Sequence, residues 1–441
     1  MKKEGIIMML CLFLSAGCSA AEINAEETTA AEKQEEVQET QPEKTSESAE
    51  SLSAEDIFTD RDMEQEADLS EAVAYDSKDG ETVTITKAGT YVFKGTAQNY
   101  QIVVEAGSED KVQIVLDGLQ VTNEDKPAVY VKSADKVFIT TTEGTENMLK
   151  TTGEFTDDGD EGTDGVIYSK DDLVLNGKGT LTVESSDNAV VSKDDLKVTG
   201  GTLNITCANN ALQAHDSVAV ADGNITIVSQ DDGIKARYDE DDSVGYVYIS
   251  GGTININAQD DAVHAETILQ IDGGKIIVDA HEGLEATVVR INDGEISVKA
   301  SDDGVNAAAK SSAYTPLIEI NGGSLTIDMG QGDTDALDSN GKLVVNGGTI
   351  TITAQFAFDF VTGSEFNGGT ITVNGQEVTQ ITESMMTGGR GGMMEGRQKE
   401  DGQTERPDGE TGPTEDHDGR KHGDFPEKDD FPQEGEQKQG M

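Results

Sequence analysis

Pairs of polar side chains, almost all carboxylates or amides, recur along the middle of this chain, each followed by Ala or Gly and then by an apolar run. The pairs are Asp187-Asn188, Asn209-Asn210, Asp231-Asp232, Asp260-Asp261, His281-Glu282, Asp302-Asp303 and the near-pair Asp333-Thr334-Asp335. Carboxylate and carbonyl oxygens are the ligands that Ca²⁺ prefers, about six to eight of them in forgiving geometry. We therefore predict Ca²⁺ as the cofactor, with ligands at Asp231, Asp232, Asp260, Asp261, Glu282, Asp302, Asp303, Asp333 and Asp335.

If these turns stack on one another, their carboxylates repel, and a counterion would stabilise the fold. Equivalent positions on neighbouring parallel strands lie about 4.8 Å apart. Two carboxylates at that distance repel by about 1 kcal/mol in water and by about 3 kcal/mol at an effective dielectric of 20. The alternative is a solvated acidic edge without metal, since Asp, Asn and Gly are ordinary turn residues. Zinc is not predicted, because His215, His264 and His281 are separated in the sequence and have hard oxygen neighbours.

Basic residues directly follow two of the acidic turns. Lys235 and Arg237 follow Asp231-Asp232, and Lys310 follows Asp302-Asp303. In a polysaccharide lyase such residues would abstract a proton next to a sugar carboxylate that Ca²⁺ has acidified. A lysine flanked by carboxylates has a raised pKa, however, which is the wrong direction for a base. We therefore predict no catalytic residues and keep the lyase as an alternative.

Two insertions carry candidate sugar-binding residues. Residues 237–246 and 308–316 lengthen the chain after acidic turns, and loops on one face of a repeat protein usually border its binding surface. We predict carbohydrate contacts at Tyr238, Tyr246, Tyr314 and Lys235. Simple packing of the loops is the alternative for the tyrosines.

The elements that would position these residues are strands of a repeat. A Gly followed by alternating apolar residues recurs from Gly179 to Gly369, at spacings of 22, 22, 29, 22, 20, 29, 25 and 21 residues. Period-2 alternation is typical of strands with one buried face. About 22 residues accommodate three short strands and three turns, so we predict an all-β fold, a right-handed parallel β-helix. Asn and Asp before the Gly pairs, at Asp272, Asn321, Asn346 and Asn367, predict a stacked side-chain ladder.

Composition excludes some partners. The chain has 441 residues, 86 acidic and 32 basic side chains and a net charge of −54, which argues against nucleic acid, whose binding depends on Lys and Arg. Aromatic residues are 5% of the chain and Trp is absent, which argues against a flat aromatic platform for crystalline cellulose. Cys207 is the only cysteine outside the first 18 residues, so no disulfide framework is predicted.

The two ends differ from the repeat. Residues 1–18 have a short basic start, an apolar run and Ala16-Gly17-Cys18, which predicts a signal peptide with lipidation at Cys18. Residues 19–69 predict a disordered acidic linker, residues 70–384 the folded domain, and residues 385–441 a disordered charged tail. We expect a monomer on the outer face of the bacterial cell membrane, attached through the lipid alone. Plain secretion is the alternative.

Several segments resemble a known family. Gly89–Gly95, Lys111–Gly118, the pair Ser169–Leu173 and Ser192–Leu196, and Ser301–Ala307 look like units of a bacterial carbohydrate-binding β-helix family. It is typified by a clostridial cellulose- and pectin-binding surface protein and is similar in fold to family 9 pectate lyases. The resemblance covers roughly residues 75–375. It implies Ca²⁺ and plant-type polysaccharides as ligands.

Three functions follow as hypotheses. The first is non-catalytic, calcium-dependent binding of an acidic polysaccharide such as polygalacturonate, with cellulose as a further candidate ligand. The second is a calcium-dependent pectate lyase. The third is a surface scaffold or adhesin that binds no glycan.

Overall fold

Strands of four to six residues make up almost all of the regular structure. The computed structural model describes residues 49–156, 163–238, 240–330 and 334–382, so Cys18, Asp333 and most of the predicted linker and tail lie outside the described residues. Apolar side chains alternate with polar ones in the strands, as at Leu181 and Val183, which are buried, with Thr182 between them partly exposed. Among the described residues no helix is long and apolar enough to cross a membrane.

One sheet contains 24 strands. They are β1 (Val73–Asp76), β3 (Gly89–Gln98), β5 (Lys111–Asn123), β7 (Lys136–Thr141), β8 (Glu146–Thr151), β10 (Asp172–Gly177), β11 (Thr180–Ser185), β13 (Asp195–Val198), β14 (Thr202–Cys207), β16 (Ser217–Val220), β17 (Asn224–Ser229), β19 (Tyr246–Ile249), β20 (Thr253–Asn257), β22 (Ile268–Ile271), β23 (Lys275–Ala280), β25 (Val288–Ile291), β26 (Glu295–Ala300), β28 (Leu317–Ile320), β29 (Ser324–Met329), β31 (Lys342–Val345), β32 (Thr349–Thr353), β34 (Gly363–Phe366), β35 (Thr370–Val373) and β36 (Gln376–Val378).

The other sheet contains 12 strands. They are β2 (Thr82–Ile85), β4 (Gln101–Glu105), β6 (Val129–Ser133), β9 (Gly165–Ser169), β12 (Asn188–Ser192), β15 (Leu212–Ala214), β18 (Ile234–Ala236), β21 (Asp261–Ala265), β24 (Glu282–Ala286), β27 (Val305–Ala307), β30 (Asp335–Ser339) and β33 (Phe356–Phe360). Each repeat contributes one strand to this sheet and two to the larger one.

The prediction of a single right-handed β-helical solenoid is wrong. The strands form two separate large sheets that do not close into one, and these lie as layers around a common core. All pairings between described strands are parallel, except that β36 pairs antiparallel to β35. The larger sheet has two branches, because β5 pairs with β7 through residues 111–116 and with β8 through residues 120–123. The repeat period predicts strands, but it does not say which successive strands share a sheet.

The core is a set of stacked apolar columns. In β11, β14, β17 and β20, the residues Leu181, Leu203, Ile225 and Ile254 lie in register and are all buried. At one corner the predicted side-chain ladder is confirmed. Asn292 donates to Asp272, Asn321 to Asn292, Asn346 to Asn321 and Asn367 to Asn346, at 2.7–2.8 Å.

Residues 49–66, which we call the strap, lie on the outer surface of the larger sheet. The strap contains the short helix α1 (Ala54–Ile57) and runs from β25 back toward β10, opposite to the order of the repeats. Arg290 Nη2 donates to the Ala49 carbonyl at 2.9 Å, and Lys197 Nζ donates to the Ile57 carbonyl at 2.6 Å. The described part of the predicted linker therefore contacts at least five repeats.

Candidate functional site

Outward-facing polar side chains form a column along the smaller sheet. Gln213 of β15 pairs in register with Lys235 of β18, followed by His264 of β21, Glu285 of β24 and Asn306 of β27. Parallel in-register pairing keeps these residues on one face, because side chains alternate along each strand. The acidic turns enter the same strands, so their carboxylates lie beside this column.

Four groups of possible metal ligands occur here among the described residues. In each group, one ligand atom per residue lies within 4.8 Å of the others. The groups are Asp231 with Asp232 and Asp260; Asp232 with Asp261 and His264; Asp261 with Glu282 and Glu285; and His281 with Glu282 and Asp302. The structure thus brings together Asp231, Asp232, Asp260, Asp261, Glu282 and Asp302 of the predicted calcium set.

Three of the buried carboxylates already have cations of the protein next to them. Lys235 Nζ lies 2.6 Å from Asp232, and Lys310 Nζ lies 2.8 Å from Glu285. His264 Nδ1 lies 2.7 Å from Asp261 and 3.0 Å from Glu285. Sequence reasoning missed His264 and Glu285 as site residues. Their shared register column is the signal that would have found them.

The two lysines of the lyase alternative are held as charged groups. Burial by itself lowers the pKa of Lys235, but the Asp232 carboxylate outweighs it and the pKa is raised. Burial likewise opposes the charge of Lys310, and the Glu285 carboxylate again raises the pKa. A general base has to be deprotonated at working pH, so neither lysine is suited to proton abstraction in this arrangement.

The calcium-type donor set is clearest at the less buried edge of these groups. Asp231 and Asp260 lie at the exposed edge of their group, and burial followed by repulsion from Asp232 raises the pKa of Asp231. Further along, Asp303 accepts a hydrogen bond from the Asp335 backbone N–H at 3.2 Å. These are hard oxygen donors at short mutual distances, which fits Ca²⁺ better than zinc.

Two partly buried carboxylates, Asp194 and Asp303, predict a specific dependence of stability on pH. Burial, with repulsion from Asp172 and Asp195, raises the pKa of Asp194 to about 6. Burial, with repulsion from Asp338, raises the pKa of Asp303 to about 7. Between pH 4 and 7 these groups bind more protons in the folded than in the unfolded protein, so stability falls as pH rises.

We therefore expect the chelator-treated protein to have a higher melting temperature at pH 5 than at pH 8. Added Ca²⁺ should raise the pH 8 value toward the pH 5 value. Differential scanning fluorimetry with Asp303→Asn as comparison measures this, and the variant should show a smaller pH difference. A melting temperature that rises from pH 5 to pH 8 in chelator would contradict the prediction.

A cleft of about 380 Å³ borders the acidic groups. It is lined by Lys193, Asn210, Gln213, His215, Lys235, Arg237, Tyr238 and Glu240. The rings of His215 and Tyr238 are stacked, with centroids 4.7 Å apart. Two of the predicted carbohydrate-binding residues, Lys235 and Tyr238, thus share one cleft that offers a ring face, amides and cations.

The other two predicted tyrosines lie elsewhere. Tyr246 and Tyr314 pack against Ile268 and Val288 on the outer surface of the larger sheet, where Leu52 of the strap also packs. The two insertions still meet, since the Ser312 backbone N–H donates to Asp242 at 2.8 Å. The structure therefore separates Tyr238 from Tyr246 and Tyr314, although their loops are in contact.

Comparisons with known proteins identify a family for this chain. A family model described as carbohydrate-binding domain-containing protein matches residues 79–336 and 282–394. A protein of Acetivibrio thermocellus with the same description is 42% identical over 122 residues, which are 27% of this chain and 43% of that protein. The match thus spans less than half of that relative.

A solved structure gives a weaker likeness. It is titled a polysaccharide lyase-like protein from C. thermocellum, gadolinium derivative, and it is 35% identical, with a TM-score of 0.46. The match covers 51% of this chain and 96% of that one. Because the family model matches more than half of the chain, this protein belongs to the carbohydrate-binding domain-containing family.

Proposed function

We propose that this protein is a non-catalytic, calcium-dependent binder of acidic polysaccharide, such as polygalacturonate, held at the bacterial cell surface by a lipid on Cys18. The observation that carries the proposal is the position of the carboxylate groups beside the cleft that contains Lys235 and Tyr238. Ca²⁺ held by the carboxylates would supply positive charge to sugar carboxylates, which an anionic protein otherwise repels.

The residues that would hold Ca²⁺ are the less buried members of two of these groups. Asp231 and Asp260 offer oxygens at one group, and Glu282 and Asp302 offer them at the other. The cleft would bind the sugar itself, with the Tyr238 ring against a sugar face and the amides of Asn210 and Gln213 on hydroxyl groups.

Affinity electrophoresis through gels that contain polygalacturonate tests the proposal with the full chain. We expect retardation with calcium, and a loss of that retardation in chelator. Asp231→Asn with Asp260→Asn should weaken the calcium-dependent retardation about tenfold or more in apparent affinity, while the melting temperature in chelator stays at or above that of the wild type.

The matched control is Asp76→Asn with Asp328→Asn, two exposed carboxylates on the larger sheet. It removes the same charge and should leave the calcium-dependent retardation intact. Unchanged mobility of the wild type with and without calcium would contradict the proposal and favour the scaffold hypothesis. Unsaturated products released from polygalacturonate would instead favour the lyase.

A further inference from the structure

Five consecutive repeats place a basic side chain at one register position, at the end of the strand of the smaller sheet or directly after it. We call this set the basic ladder; its members are Lys132, Lys170, Lys193, His215 and Arg237. The backbone confirms their register. Each of the last four members donates its backbone N–H to the neighbouring repeat, at 2.8–3.2 Å. The acceptor is the carbonyl of the residue just before the previous ladder member. With a spacing of about 4.8 Å per repeat, the ladder is about 19 Å long.

A row of basic side chains is unusual in a chain that is as acidic as this one. Only 32 of the 441 residues are Lys or Arg, and the net charge is −54. Two carboxylates next to the ladder lie at the long end of the ion-pair range, since Glu105 lies 3.5 Å from Lys132 and Glu266 lies 3.5 Å from Arg237. The Lys132–Glu105 pair is partly exposed on both sides, and such pairs contribute about 0–1 kcal/mol, so this cation can be shared with an anionic ligand at little cost.

Buried aromatic residues beside the ladder orient two of its side chains. The residues two positions earlier face the same side of the strands and include Tyr130 and Tyr168, both buried. Lys132 Nζ lies 5.1 Å from the centre of the Tyr130 ring, and Lys193 Nζ lies 5.6 Å from the centre of the Tyr168 ring. Cation–π contacts hold an ammonium group over a ring, which reduces the side-chain entropy lost on binding.

The ladder leads into the cleft described above. Lys193, His215 and Arg237 line both, and the stacked pair of His215 and Tyr238 closes the cleft on one side. A ligand that follows the ladder would therefore reach the amides and the ring of the cleft without changing direction.

We propose that the basic ladder binds one stretch of a linear polysaccharide that carries a carboxylate on each sugar, directly and without calcium. The glycan runs across the strands, along the direction in which the repeats stack, because the cations follow that direction. This inference rests on the proposed acidic-glycan function and adds a metal-free contact to it. Calcium then strengthens the binding from the carboxylate groups on the far side of the cleft.

Fluorescence anisotropy with a labelled oligogalacturonate, in chelator and at several salt concentrations, tests the ladder. The wild type should bind measurably at low salt. Lys170→Gln with Lys193→Gln and Arg237→Gln should weaken that binding about tenfold. The slope of log Kd against log salt should fall by roughly 2, about 0.7 for each lost contact. Circular dichroism and the melting temperature check the fold of the variant.

The control replaces three exposed lysines of the larger sheet, Lys275, Lys299 and Lys342, by glutamine. It should bind like the wild type, and methyl-esterified polygalacturonate should bind to neither. No affinity of the wild type in chelator, together with retained calcium-dependent binding, overturns the ladder but leaves the proposed function standing. Equal losses in the control, or equal binding of dextran sulfate or single-stranded DNA, overturn the assignment of a carboxylated glycan.

Discussion

Replacing Asp62 by alanine should lower the free energy of unfolding by about 3–5 kcal/mol, because it removes one partner of a buried ion-pair network. Asp62 of the strap is completely buried against the larger sheet, and the ammonium groups of Lys136 and Lys197 lie 3.4 and 3.6 Å from its carboxylate. Burial raises the pKa of Asp62, but the Thr59 backbone N–H and the two lysines lower it further, so the group stays charged. The variant leaves two buried lysines without that counterion.

Chemical denaturation of the full chain measures the loss. Glu66→Ala is the matched control, since Glu66 lies on the same strap in an exposed pair with Lys178 and should leave the stability almost unchanged. Hydrogen exchange of residues 49–66 gives a second readout, which should rise in Asp62→Ala. A loss as small as that of the control would show that the strap contributes little to the fold.

The strap also shows what composition cannot predict. Residues 49–69 are rich in Glu, Asp and Ser, which indicated a linker. Their contacts use backbone carbonyls as acceptors, at Ala49 for Arg290 and at Ile57 for Lys197. Every residue has a carbonyl, so such an interaction leaves no trace in the sequence of the strap. Sequence signals remain at Asp62, whose buried carboxylate pairs with Lys136 and Lys197. Others lie in the sheet, where the cations at positions 197 and 290 face outward from otherwise apolar strands.

The positions of the strands could be predicted, but the assignment of strands to sheets could not. Alternation at Leu181 and Val183 reports burial of one face, and the spacing of the glycines reports the length of the repeat. The division of the larger sheet into two branches depends on β5, which bends near Gly118, where φ is +79°. The preceding strand β3 has a positive-φ glycine at the matching place, Gly95, so the bend recurs from one strand to the next.

The acidic residues of the candidate site could be predicted, whereas their partners could not. Asp232 and Asp261 stood out because they recur at turns. Lys235 and His264 follow them by three residues, and this spacing brings each cation onto its own carboxylate. Alignment of the repeats by strand rather than by turn would have placed these cations in one column and would also have shown the basic ladder.

The second large effect is expected from Glu285→Ala, which should lower the free energy of unfolding by about 3–5 kcal/mol at pH 6. Glu285 is 2% exposed, and its carboxylate lies 3.0 Å from His264 Nδ1 and 2.8 Å from Lys310 Nζ. Burial raises the pKa of Glu285, but hydrogen bonds from His264 and Lys310 lower it to about 2. Its removal leaves Lys310 and His264 without their shared carboxylate.

The effect of Glu285→Ala is largest near pH 6, because the pKa of Glu285 is lowered and that of His264 is raised. Glu285 stabilises the folded protein above its ordinary pKa of about 4.3, and that contribution is lost as pH falls toward 2. Burial opposes the charge of His264, but Asp261, Glu266 and Glu285 raise its pKa to about 11, so its contribution is complete below about 6.5 and is lost as pH rises. At pH 6 both contributions are nearly complete.

The control for Glu285→Ala is Glu295→Ala, in the exposed pair with Lys275, which should cost less than about 1 kcal/mol. Equal losses for the two variants would mean that water screens the network, and the column beside the cleft would then be an open surface.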